Sequence, residues 1–144
     1  MTFSQIITQL SQAATAIDVT PEVGYDIATP LGQEYPKVYI EAGAANFSVQ
    51  NGGRTYVIPV YCFDRHEGDD IANALEAAQL LFDRYLASIR RILDRAISLE
   101  DIISASALVY ETESRASGWR VELTLRVPYA PNNCDQSTAP PYAY

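Results

Sequence analysis

Apolar residues in "TFSQIITQLSQAATAI" fall at Phe3, Ile6, Ile7, Leu10, Ala14 and Ile17, every third or fourth position. That spacing lines them along one face of a short amphipathic helix, and Pro21 stops it from continuing. The stretch 22–36 carries Gly24, Pro30, Gly32 and Pro36, which predicts a connector with a short edge strand at 25–28. The period then changes. "KVYIEA" (37–42) and "RTYVIPVYCF" (54–63) are rich in β-branched and aromatic residues and predict strands. Between them, "GAANFSVQNGGR" has the Gly and Asn content of a hairpin or an extended arm. In the second strand Tyr56, Ile58, Val60 and Cys62 share one face and Val57, Pro59, Tyr61 and Phe63 the other. Both faces are apolar. Pro59 has no N–H for a ladder, which points to an edge or a bulge and leaves one apolar face for a partner.

Helical spacing returns from Ile71 to about Leu93, through Ile71, Leu75, Ala78, Phe82, Tyr85 or Leu86, Ile89, and Ile92 or Leu93. Glu76, Asp83, Arg84, Arg90, Arg91, Asp94 and Arg95 take most of the remaining positions. This is the principal helix, and a charge at Phe82 is expected to be among the most damaging single changes. Ser98 followed by Asp101 predicts one extra helical turn at most. Two alternating segments, 106–114 and 118–129, then form a second hairpin. In its last strand Trp119, Val121, Leu123, Leu125 and Val127 face inward, and Arg120, Glu122, Thr124 and Arg126 face out. "YAPNNCDQSTAPPYAY" has no periodicity, so 130–144 is expected to be a tail or arm that orders on a partner. The expected fold is a single α+β domain over 1–129: an antiparallel sheet of about four strands, in two hairpins, packed against one long helix and a short N-terminal helix.

Composition narrows the function classes. The chain of 144 residues carries a net charge of −8 and a single lysine, Lys37. The nine arginines are scattered, with no basic run longer than Arg90–Arg91. Nucleic-acid affinity comes largely from basic side chains neutralising phosphates, so a phosphate-gripping protein is disfavoured. An acidic surface serves solubility, or lets DNA pass without sticking. Cys62, in a strand, and Cys134, in the polar tail, have neither disulfide-framework nor zinc-site spacing and are expected to be free thiols. No stretch approaches the ~18 apolar residues of a membrane span, nor does the N-terminus look like a signal peptide. A soluble protein made in the cytoplasm is the expectation.

The motif search finds no P-loop, dinucleotide fingerprint or serine-hydrolase elbow. The chemically dense stretch is "DRHEGDD" (64–70), which follows a strand and precedes the long helix. Asp64, His66, Glu67, Asp69 and Asp70 are candidate ligands for a divalent metal, which would require three or four of them to converge. The alternative is an Asp69 or Asp70 cap on the long helix, with the acids at the positive end of its dipole. The second account is preferred, so no metal, cofactor or catalytic residue is assigned. The ten tyrosines divide between core filler, as at Tyr56, and contact surface, as at Tyr61 and Tyr129. Candidate subunit or partner contacts are Arg54, Tyr61, Phe63, Arg120, Glu122, Arg126 and Tyr129.

The arrangement of these segments resembles the tail terminator, or tail completion, proteins of long-tailed bacteriophages. The segments are a short helix, a hairpin around "KVYIEAGAANFSVQNGGRTYVIPVYCF", the helix "DIANALEAAQLLFDRYLASIRRIL" and the hairpin "ALVYETESRASGWRVELTLRVPY", spanning roughly residues 3 to 129. The resemblance implies a virion structural protein without catalysis, assembled in the host cytoplasm and forming a closed ring, commonly a hexamer. Such a ring caps the tail tube, ends tube polymerisation and joins the tail to the head and neck. The implied partners are further copies, the tube protein, a neck or connector protein and a sheath protein, with DNA crossing the lumen unbound. A cyclic ring needs two different patches that meet. The 43–54 loop and the C-terminal tail are expected to be partner-binding arms. Three other readings stand beside this one: a neck connector or stopper protein, a small metal-dependent hydrolase using His66, and a cellular α+β interaction module.

Overall fold

The computed structural model describes residues 2–24, 36–65, 71–100, 103–110 and 116–128. The predicted edge strand at 25–28, His66 to Asp70, Tyr129, Cys134 and the 130–144 tail lie outside them. Helix α1 spans Phe3–Thr15 and opens on a capping box that "TFSQ" spells out: Thr2 Oγ1 accepts from the Gln5 N–H, and Gln5 Oε1 accepts from the Thr2 N–H. After α1 the chain reverses through Asp18, at φ 59°, and enters β1 (Thr20–Gly24). Strand β2 (Lys37–Glu41), a 3-10 turn at Ala42–Ala44, β3 (Asn46–Gln50) and β4 (Gly53–Arg65) follow. Helix α2 covers Ile71–Ile92. The remaining strands are β5 (Ser98–Leu99), β6 (Ala105–Tyr110) and β7 (Ala116–Pro128).

The fold is α+β, but the sheet has seven strands and is mixed, where about four antiparallel strands were expected. Its spine is the antiparallel pair β4–β7, which runs the whole length of both strands, from Gly53 opposite Pro128 to Arg65 opposite Ala116. Each long strand divides its outer edge between two short partners. Along β4, β2 pairs with Val60 to Phe63 and β3 with Gly53 to Val57. Along β7, β5 pairs near Leu125 and β6 with Ala116 to Val121. Strand β1 adds to β2 in parallel and makes the sheet mixed.

This division explains Pro59. The proline sits in a central strand, not at an edge, where the β2 partner has ended and the β3 partner has not begun. At that changeover a missing N–H costs no ladder bond. A second correction concerns Ser98 and Leu99, which form a strand against Arg126 and Leu125 in place of the expected helical turn.

Both helices pack on one sheet face, as expected. Ile6, Leu10, Ala13 and Ala14 of α1 and Leu81, Tyr85 and Ile89 of α2 meet Val38, Ile40, Ile58, Val60, Cys62, Leu123 and Leu125 in the main core. The buried stripe of α2 is Ala78, Leu81, Tyr85, Ser88 and Ile89, so Phe82 lies at its margin, half-buried, and not at its centre. The stripe is rotated because α2 must face α1 as well as the sheet. Three α2 side chains close the C-terminal end of α1. Ser88 Oγ donates to the Ala13 carbonyl (2.8 Å), Tyr85 Oη to the Leu10 carbonyl (3.0 Å) and Arg84 Nη2 to the Ile17 carbonyl (3.1 Å). The Ala13 carbonyl, in the last turn, lacks an intrahelical donor, and α1 has no basic residue there to supply one.

Candidate subunit interface

The outermost described strand beside the first half of β4 is β3, and all five of its residues are exposed. It is held to β4 through the turn at Asn51–Gly52, where Gly52 at φ +88° supplies the left-handed conformation such a turn needs. The expected arm at 43–54 is therefore an edge hairpin whose second strand is anchored in the sheet by β7. Alternation puts Phe47 and Val49 on the same sheet face as the helices, beside Tyr56 and Arg54.

That part of the face lies beyond the N-terminus of α1 and is only partly covered. Phe3 of α1 reaches Tyr56 with ring centroids 5.5 Å apart, and Phe47 meets the same ring at 5.9 Å. The Arg54 guanidinium lies 5.6 Å from the Phe47 ring centroid. Phe47 nonetheless remains 58% exposed and Val49 60% exposed. With Thr2, Phe3, Ala42, Ala45 and Tyr56, Phe47 borders a groove of about 460 Å³.

A second groove, of about 620 Å³, runs along the other end of α1, between its outer side and the β1 edge. Ile7, Ala16 and Val23 give it an apolar floor, and Thr8, Ser11, Gln12 and Thr15 line the rest. Val23 is 45% exposed. No charged side chain precedes Asp18 in the chain, so the whole exposed face of α1 is uncharged.

On the opposite sheet face a smaller core joins Tyr39, Tyr61, Phe63 and Ala116, with Leu108 against it. Tyr61 Oη donates to Glu41 Oε1 (3.1 Å) and accepts from Arg120 Nε (3.2 Å), and Arg120 also pairs with Glu122 (3.1 Å). Burial pushes the Tyr61 hydroxyl above its usual pKa, with the Arg120 bond opposing and Glu41 adding to the rise. The bond to Tyr61 in turn raises Arg120. At the β1–β2 junction Lys37, itself buried, pairs with Glu22 at 2.7 Å.

The candidate contact residues thus separate. Arg54, Glu122 and Arg126 are exposed, and Arg126 donates to Gln50 Oε1 of the hairpin (3.1 Å). Arg120 is half-exposed, with its guanidinium over the Tyr61 ring at 5.8 Å. Tyr61 and Phe63 are buried within the chain, with their rings stacked, and the Tyr61 hydroxyl bridges Glu41 and Arg120. Phe47, Val49 and Val23 were absent from the candidate set. For Phe47 and Val49, though not for Val23, a signal was present, because 42–63 contains no acidic residue in a chain of net charge −8.

Among the described residues no three His, Cys, Asp or Glu side chains converge as a metal site, and no helix is long and apolar enough to cross a membrane. Cys62 is a fully buried thiol whose pKa burial raises far above its usual value, which makes it unreactive in the folded chain. No protein-family model matches the chain, and no curated protein matches it either. Among solved structures, a chain of the virion of a native gene transfer agent particle superposes with a TM-score of 0.47 at 14% identity, covering 88% of this chain and 95% of that one.

Proposed function

We propose that this protein is a non-catalytic virion structural protein that forms a ring on the end of a phage tail tube. There it ends tube assembly and joins the tail to the head or neck. The observation that carries this reading is the edge hairpin, which presents Phe47 and Val49 to solvent at 58% and 60% exposure on a rigid sheet. Exposed apolar side chains on an edge strand mark a surface built to be covered. The second groove beside α1 supplies a different patch, as a cyclic ring needs. The order of helix, hairpin, long helix and hairpin is the arrangement on which the resemblance to tail terminator proteins rests. The net charge of −8 suits a lumen through which DNA slides without binding.

Native mass spectrometry over a concentration series tests the ring, and co-sedimentation with assembled tail tubes tests the cap. A metal-free closed oligomer that sediments with tubes supports the proposal. A monomer holding one metal ion, lost in the His66→Ala variant, would refute it in favour of a hydrolase.

A further inference from the structure

We infer that the occupant of the α1–β1 groove is the β3–β4 hairpin of a second copy of this chain, a head-to-tail contact that repeats around the ring. The inference deepens the ring proposal and presupposes it. Charge selects the partner. Two copies, each at −8, repel unless they meet through surfaces free of acids, and among the described residues two such surfaces border the grooves beside α1. One is the hairpin, within a stretch of 22 residues (42–63) whose only charged side chain is Arg54. The other is the uncharged outer face of α1.

Chemistry and position agree with charge. Phe47 and Val49 are apolar knobs, and Ile7, Ala16 and Val23 floor a groove large enough for both. Phe47 sits by Tyr56 and Phe3 at the start of α1, whereas the groove extends to Thr15 and Ala16 at its end. Twelve residues of helix separate Phe3 from Thr15, about 18 Å at 1.5 Å each. Hairpin and groove thus lie towards opposite ends of one helix, so each copy offers its hairpin to one neighbour and its groove to the other. Such a contact is heterologous and closes into a ring when the rotation permits.

The test uses the full chain and two variants at exposed positions, Phe47→Asp in the hairpin and Val23→Arg in the groove, each verified as folded by circular dichroism. Each alone is expected to lose the wild-type oligomer, with the affinity between subunits weakened about tenfold or more, as for a central aromatic anchor. Mixed together they should form a 1:1 dimer and nothing larger, because the intact groove of one accepts the intact hairpin of the other. Retention of the wild-type oligomer by Phe47→Asp, or a mixture that stays monomeric, would overturn the contact while leaving the ring standing. A wild-type chain that is monomeric throughout the series, with or without tubes, removes the ring and this contact together.

Discussion

Replacing Ser88 by alanine isolates the seam between the two helices. Ser88 is fully buried on α2, and its hydroxyl donates to the Ala13 carbonyl at 2.8 Å. Four residues on from Ala13, the Ile17 N–H turns to Ala14, so Ala13 has no backbone donor from that residue. The Ser88→Ala variant therefore strands a buried carbonyl, at about 1–3 kcal/mol. Alanine's better helix propensity returns roughly half a kcal/mol. The net expectation is a loss of about 1–2 kcal/mol, or roughly 2–8 °C in Tm for a domain of this size. Urea unfolding followed by Trp119 fluorescence is the assay, because the indole N–H donates to the Leu75 carbonyl of α2 (2.8 Å) and reports on helix–sheet packing. Parent and variant are compared at one protein concentration, because any association would make apparent stability depend on it. Ala87→Ser, at an exposed neighbouring position, is the control and should change little. A Ser88→Ala midpoint equal to or above the parent's, at unchanged m-value, would refute the capping role.

Tyr85 and Tyr61 both have hydroxyl pKa values raised by burial, Tyr85 well above 10.0. The folded chain keeps those protons after the unfolded chain has lost them, so stability should hold below pH 10 and fall as pH rises beyond it, by up to about 1.4 kcal/mol per pH unit per group. Urea titrations from pH 8 to 11 should show a shallower fall in Tyr85→Phe, and an unchanged slope would count against that burial. Gly118→Ala places a methyl group against the Cys62 carbonyl across the central β4–β7 pair and should cost at least about 1–3 kcal/mol by thermal unfolding. In a Cys134→Ser variant, Cys62 should react with a thiol reagent only as fast as the chain unfolds, and rapid native-state labelling would contradict its burial.

What the sequence determined by itself was local. Period-3.6 spacing marked α1 and α2, β-branched and aromatic content marked β2 and β4, and period-2 spacing marked β7 with its inward face, because side-chain periodicity reports directly which positions meet a core. Residues without that signature went astray. Ser98 and Leu99 are a strand only because β7 offers them an edge, and Pro59 is central only because β2 and β3 change places beside it. Both facts belong to the pairing of distant segments, which local propensity does not encode. The same holds for the interface. The sequence showed that Tyr61 and Phe63 were apolar and in a strand, but burial in the second core was settled by Tyr39, Ala116 and Leu108 arriving from other parts of the chain. Conversely, Phe47 and Val49 lay in a stretch expected to be a hairpin or an extended arm, with no face assigned to either. Only the tertiary structure left them uncovered, because α1 begins at Phe3 and its N-terminus stops short of that corner of the sheet.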